Sequence, residues 1–210
     1  MNVLIIYGTV EGQTRKIATF MADRIRDQGN QVSLVDSADM PENLDIGAFD
    51  AIIAAGSVHN GRHQSALLQF ARDHAEALQA KSTAFVSVSL SMASDEVQDR
   101  LDAAECADRF LDVAGWKPTV THLVAGALRY TQYDFFKGWI LRMIASAKGA
   151  STDTSKDHEF TDWRDLEAFV DAFMGQLSEH SGKADDTSQK RRFGDDDSRL
   201  TPRNRNASIS

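Results

Sequence analysis

Two threonines and a glycine in the run Thr9-Val10-Glu11-Gly12-Gln13-Thr14 form the part of this chain best suited to chemistry. Hydroxyl donors beside a residue that lets the backbone approach closely suit a bound anion, above all a phosphate. Asn2 to Tyr7 (NVLIIY) is the apolar, β-branched run of a buried parallel strand. From Gln13 the apolar residues Ile17, Phe20, Met21 and Ile25 recur at helical spacing. The loop therefore joins the end of a strand to the positive end of a helix dipole, where backbone N–H groups favour a phosphate. It is not a Walker loop, because Gly12 is followed by Gln13-Thr14 and Lys16 comes too late. The dinucleotide pattern G-x-G-x-x-G is missing as well, and the single cysteine, Cys106, lies far from the loop a thiol phosphatase would need.

The elements that must position this loop alternate in type. Strands are predicted near 2–7, 31–36, 50–56, 82–89 and 119–126, and helices near 13–28, 64–78, 96–114 and 161–178. That alternation predicts an α/β domain with a five-stranded parallel sheet and helices on both faces. In such a sheet the carboxyl ends of the strands share one edge, and ligands bind there at the switch point. The polar stretch after strand three, Gly56-Ser57-Val58-His59-Asn60, and that after strand four, Ser89-Leu90-Ser91-Met92, are thereby brought beside Thr9–Thr14. Hydroxyls and loop N–H groups from both suit the edge of a flat heterocycle. A histidine can serve a proton-transfer step, so His59 and His63 are the candidate bases, though a hydrogen-bonding loop histidine is the favoured reading of each and no catalytic residue is assigned; His122 falls within strand five and reads as structural.

Composition narrows the class. The chain has 210 residues, 42% of them hydrophobic, enough for one domain with a full core. Its net charge of −8 argues against a general nucleic-acid binder. One cysteine allows no internal disulfide, and Cys106 reads as a buried thiol on a helix. The first strand starts at once, so no signal peptide is expected, and no run of about 18 apolar residues predicts a spanning helix. The expected location is cytoplasmic. The six histidines show no metal-ligand spacing on a helix, so no metal site is expected.

Two segments exceed a minimal five-strand domain. Residues 128–158 separate strand five from the last helix and form an insertion. Within 128–149, Phe135, Phe136, Trp139, Ile140, Met143 and Ile144 follow a helical stripe, and Arg129, Lys137, Arg142 and Lys148 outweigh Asp134. A basic, aromatic amphipathic helix suits a membrane interface or an apolar anionic ligand, and equally a helix packed on its own domain or across a homo-oligomer. Residues 181–210 carry few apolar side chains and clusters such as Lys190-Arg191-Arg192 and Asp195-Asp196-Asp197, which predicts a disordered tail.

The loop pattern [ST]-x-x-G-x-T, here Thr9 to Thr14, resembles the FMN phosphate loop of the flavodoxin family. Electron-carrying flavodoxins commonly stack aromatic rings on both flavin faces, whereas the flanking loops here carry His59, Leu90 and Met92. An open flavin face suits a substrate and two-electron chemistry. The string Ala125-Gly126-Ala127-Leu128-Arg129-Tyr130, then Tyr133, the basic-aromatic stretch, Gly149, Thr152-Asp153-Thr154 and Thr161-Asp162-Trp163 resemble the flavodoxin-type, quinone-dependent protoporphyrinogen oxidases of bacterial haem synthesis. Gly12-Gln13-Thr14-Arg15 and Gly56-Ser57 with His59 to His63 are compatible with that family, and the likeness spans roughly residues 1–178.

What the resemblance implies is a flavodoxin-like fold, FMN as cofactor, and oxidation of protoporphyrinogen IX to protoporphyrin IX in two-electron steps. The electrons would go to a membrane quinone, menaquinone or ubiquinone, with the protein on the inner face of the membrane. FMN would be held by Thr9, Val10, Glu11, Gly12, Gln13, Thr14, Ser57, Val58, His59, Asn60, Ser89, Leu90 and Ser91. Arg129, Tyr130, Lys137 and Arg142 are the candidates for the tetrapyrrole and its carboxylates. A soluble flavodoxin-like electron carrier or quinone reductase is the alternative, and a domain that has lost the flavin is a third.

Overall fold

A computed structural model describes residues 1–128 and 158–193 of the chain. Five strands form a parallel sheet in the order β2-β1-β3-β4-β5, with β1 at Asn2–Gly8, β2 at Gln31–Asp36, β3 at Ala51–Ser57, β4 at Ser82–Ser89 and β5 at Val120–Ala125. The helices are α1 at Gln13–Asp27, α2 at Ser65–Asp73, α3 at Ala75–Gln79, α4 at Val97–Ala114 and α5 starting at Trp163. Strand order reverses between β1 and β3, which pair from Val3↔Ala51 to Gly8↔Gly56, so the switch point falls at the loop after β1. This is the flavodoxin-like architecture expected from the alternating pattern.

Period-two alternation divides the buried strand residues between the two faces. One face buries Leu4, Ile6, Ile52 and Phe85 against Leu67 and Phe70 of α2, Leu78 of α3, Phe110 of α4 and Trp116. There the Phe85 and Phe110 rings stack 4.7 Å apart, and the indole N–H of Trp116 donates to Thr83 Oγ1 at 3.1 Å. The alternation turns Val3, Ile5 and Ile53 to the other face, where α1 buries Ile17, Met21 and Ile25. α1 is held beside the start of α5 by Arg24, whose guanidinium donates to both oxygens of Asp171 at 2.8 and 2.7 Å. α1 ends where Gly29, at φ 81°, lets the Gly29 and Asn30 amides return to Arg26 and Ile25 carbonyls.

Several elements differ from the sequence expectation. The helix expected over 64–78 is two, because His74 leaves helical dihedrals at φ −116° and ψ 16°. Cys106 is half-buried rather than buried, its Sγ 3.5 Å from the Gly61 carbonyl oxygen. The last helix runs Trp163–Phe193, through residues expected to be a disordered tail. Low apolar content predicts poor burial, but Ala184, Gln189, Lys190, Arg191 and Arg192 favour helix, and extending a helix needs no new nucleus. This helix passes from one compact unit, Met1–Phe173, into a second that begins at Met174. A short antiparallel ladder, β6 at Ala127–Leu128 with β7 at His158–Glu159, closes the root of the insertion. The insertion's basic-aromatic stretch, with Arg129, Tyr130, Lys137 and Arg142, lies outside the described residues.

Candidate functional site

The loop after β1 is shaped by its own side chain and one glycine. The Gly12 amide donates to Thr9 Oγ1 at 2.9 Å, and Gly12 takes φ 89°, a conformation open to glycine at little cost. No side chain caps α1 at Gly12, so the amides of the first helical turn keep no side-chain acceptor. Thr14 is fully buried, and its Oγ1 has no hydrogen-bond partner among the described residues. A buried hydroxyl without a partner is costly, and a phosphate oxygen here would satisfy it. The uncapped helix and this hydroxyl both fit a bound phosphate.

The loop after β3 turns back on itself. His59 and Arg62 exchange backbone hydrogen bonds of 2.8 and 3.1 Å across Asn60 and Gly61, which have φ 50° and 72°. Asn-Gly with both φ values positive is the sequence signature of a tight hairpin. The Val58 amide donates to the Val88 carbonyl at 2.8 Å and so fixes this hairpin against the end of β4. Beyond β4, Ser89 Oγ accepts from the Ser91 amide at 3.2 Å and starts a short 3-10 turn at Leu90–Ala93.

These loops enclose a cavity of about 380 Å³ at the carboxyl edge of the sheet. Thr9, Val10, Glu11, Gln13, Thr14, Ser57, Val58, His59, Asn60, Ser89, Leu90 and Ser91 all line it; Gly12 shapes the loop and faces a separate shallow groove. Sequence reasoning missed Gly61, Val88, Gly126 and Ala127, which line it too. The Asn60-Gly61 pair was a readable hairpin signal, and Gly126-Ala127 follow the fifth strand onto the same edge. No lysine or arginine is among the described lining residues. The polar groups that the described lining residues offer an anion are amide dipoles and hydroxyls. Among the described lining residues the His59 imidazole is the one ring, and no Phe, Tyr or Trp is present.

His63, one of two candidate bases, does not line the cavity. Its Nε2 lies 3.0 Å from Ser87 Oγ, its ring packs 4.9 Å from Phe110 and 5.2 Å from Phe85, and burial lowers its pKa to about 4. The return of α2 over the sheet carries it away from the loop, so His59 is the histidine at the cavity. His122 stacks on Phe169 at 4.4 Å with Nε2 3.2 Å from the Asp165 carboxylate, a structural role. Burial lowers its pKa, and the Asp165 charge opposes the shift.

A family model described as a flavodoxin domain matches residues 4–155. The chain is 31% identical over 170 residues to the protoporphyrinogen IX dehydrogenase (quinone) of Escherichia coli strain K12, covering 81% of this chain and 93% of that one. The chain belongs to the flavodoxin-type protoporphyrinogen IX dehydrogenase family. A second relative, the protein of the same name from Leishmania major, is 26% identical over 171 residues, 81% of this chain and 73% of that one. Among solved structures, oxidised flavodoxin 1 from Bacillus cereus matches with a TM-score of 0.51 at 17% identity, over 83% of this chain and 98% of that one. Flavodoxin 2 from the same organism matches with a TM-score of 0.50 at 17% identity, over 84% and 99%. These two likenesses show the fold. Among the described residues of this family member, no helix is long and apolar enough to cross a membrane.

Proposed function

We propose that this chain is an FMN-dependent protoporphyrinogen IX dehydrogenase that passes electrons to a quinone, menaquinone or ubiquinone, at the inner face of a membrane. The observation that carries the reading is a 31% identity to a dehydrogenase of that name running through 93% of the relative's length. The site supports it: a cavity with an uncapped helix N-terminus and an orphaned buried hydroxyl, Thr14, at its phosphate-loop end.

Bound FMN supplies a two-electron acceptor and donor. The residues of the chain bind and orient it. Thr14 and the first-turn amides of α1 would take the phosphate, and Ser57–Asn60 and Ser89–Ser91, joined side by side by the Val58–Val88 hydrogen bond, would hold the ring. His59 lines the cavity and is the residue assigned to accept a proton from the substrate. An unstacked ring face leaves room for a second flat molecule, and Arg129, Tyr130, Lys137 and Arg142 are assigned to the tetrapyrrole and its carboxylates. Residues 133–148 are assigned to the membrane surface, which would bring the site to its quinone.

The test is anaerobic turnover: FMN-loaded protein, protoporphyrinogen IX and a menaquinone analogue, followed by porphyrin fluorescence. A rise that depends on both protein and quinone is expected, and no rise above the uncatalysed rate would overturn the assignment. Quinone reduction without any porphyrin product would select a carrier or quinone reductase instead.

A further inference from the structure

The phosphate helix is tied to the far end of the chain by a clasp that phosphate binding alone does not require. Gln13, in the first turn of α1 and on the cavity wall, donates from Nε2 to Thr161 Oγ1 at 2.9 Å. Thr161 is 8% exposed, and its hydroxyl donates in turn to the Ala125 carbonyl at 2.8 Å. A hydroxyl has one proton. Because that proton goes to a carbonyl, the oxygen can only accept from Gln13, which fixes the orientation of the glutamine amide.

One turn further along α1, Lys16 pairs with Glu159 of β7, whose other oxygen accepts from the Trp163 indole at 2.7 Å. Partial burial alone would raise the Glu159 carboxyl, but hydrogen bonds from Lys16, Trp163 and Gln13 outweigh it and hold it below its usual range. Next to these contacts the Phe160 amide donates to the Gly126 carbonyl at 3.0 Å, and the Gly126 amide to the Ser89 carbonyl at 3.1 Å. Gly126 and Ala127 line the cavity. The wall formed by Gly126 and Ala127 is thus backed by residues that follow the insertion and is fastened to the phosphate loop through Thr161.

We propose that Thr161 is a positioning residue for the cofactor: it holds Gln13, and with it the first-turn amides of α1, in register with the end of β5. Phosphate binding and pairing of the β6–β7 ladder then form one coupled equilibrium. This rests on the FMN reading above. Reciprocity requires that a change weakening the clasp weaken FMN binding by the same factor by which FMN ceases to protect the ladder.

Thr161→Val keeps the side chain's shape and burial but strips both hydrogen bonds, and Thr161→Ser keeps the hydroxyl. Two readouts are taken on the full-length protein: the FMN dissociation constant from flavin fluorescence, and hydrogen exchange at the Phe160 and Gly126 amides with and without FMN. Thr161→Val is expected to bind FMN roughly 2- to 13-fold more weakly, the net worth of a hydrogen bond. It should lose FMN-dependent slowing of exchange by a similar factor, with Thr161→Ser within about twofold of wild type on both readouts. Wild-type exchange at these amides that ignores FMN would overturn the proposal without any variant. So would equal FMN affinity in wild type and Thr161→Val, while leaving the FMN reading intact. A wild-type chain that binds no FMN would overturn both.

Discussion

Thr14→Val tests the phosphate site with two effects of opposite sign. Thr14 is fully buried and its hydroxyl has no partner among the described residues. That leaves a desolvation penalty of about 1–3 kcal/mol in the empty state, which a phosphate oxygen would relieve on binding. Valine keeps the branched shape and removes the hydroxyl, so the FMN-free variant should be more stable than wild type by about 1 kcal/mol, or about 2–4 °C in melting temperature for a chain of this size. The same substitution removes the relief, so FMN affinity should fall by about 1–3 kcal/mol, roughly 5- to 150-fold. Fluorescence titration gives the affinity and thermal unfolding of FMN-free protein gives the stability. FMN binding within twofold of wild type would refute the placement of the phosphate. A free protein destabilised by the change would refute the orphaned hydroxyl.

Two further outcomes follow from packing and burial. A Cβ on Gly56 would lie 2.7 Å from Leu67 Cδ2 and 3.0 Å from His63 Cδ2, so Gly56→Ala should cost about 1–3 kcal/mol, and an unchanged melting temperature would contradict it. Burial lowers His63 from 6.5 to about 4, so the unfolded chain takes up the proton first; the stability this neutral histidine contributes is full above about pH 6.5 and is lost as pH falls towards 4. In urea unfolding of FMN-free protein at about pH 7 and about pH 5, wild type should lose about 2 kcal/mol more than His63→Gln, and equal losses would refute the assignment.

The sheet was legible because its strands are short apolar runs separated by turn residues and amphipathic helices, a pattern local enough to read without contacts. The carboxyl-edge rule then brought Thr9–Thr14, Ser57–Asn60 and Ser89–Ser91 together on one edge, where all but Gly12 line one cavity. His63 misled because a polar loop and a burial site differ only by how α2 folds back, which the spacing of the loop does not record. The contact from Gln13 to Thr161 spans 148 residues and joins two ordinary polar side chains, so nothing local announces it. Helix α5 exceeds its expected end because the residues past 178 are poor in apolar side chains yet include good helix formers.

The most direct test of the account follows the flavin itself. FMN-loaded protein mixed anaerobically with protoporphyrinogen IX in a stopped-flow instrument should lose its oxidised flavin absorbance as porphyrin fluorescence appears, and recover that absorbance when a menaquinone analogue is added. A flavin that stays oxidised in the presence of excess protoporphyrinogen IX would contradict it.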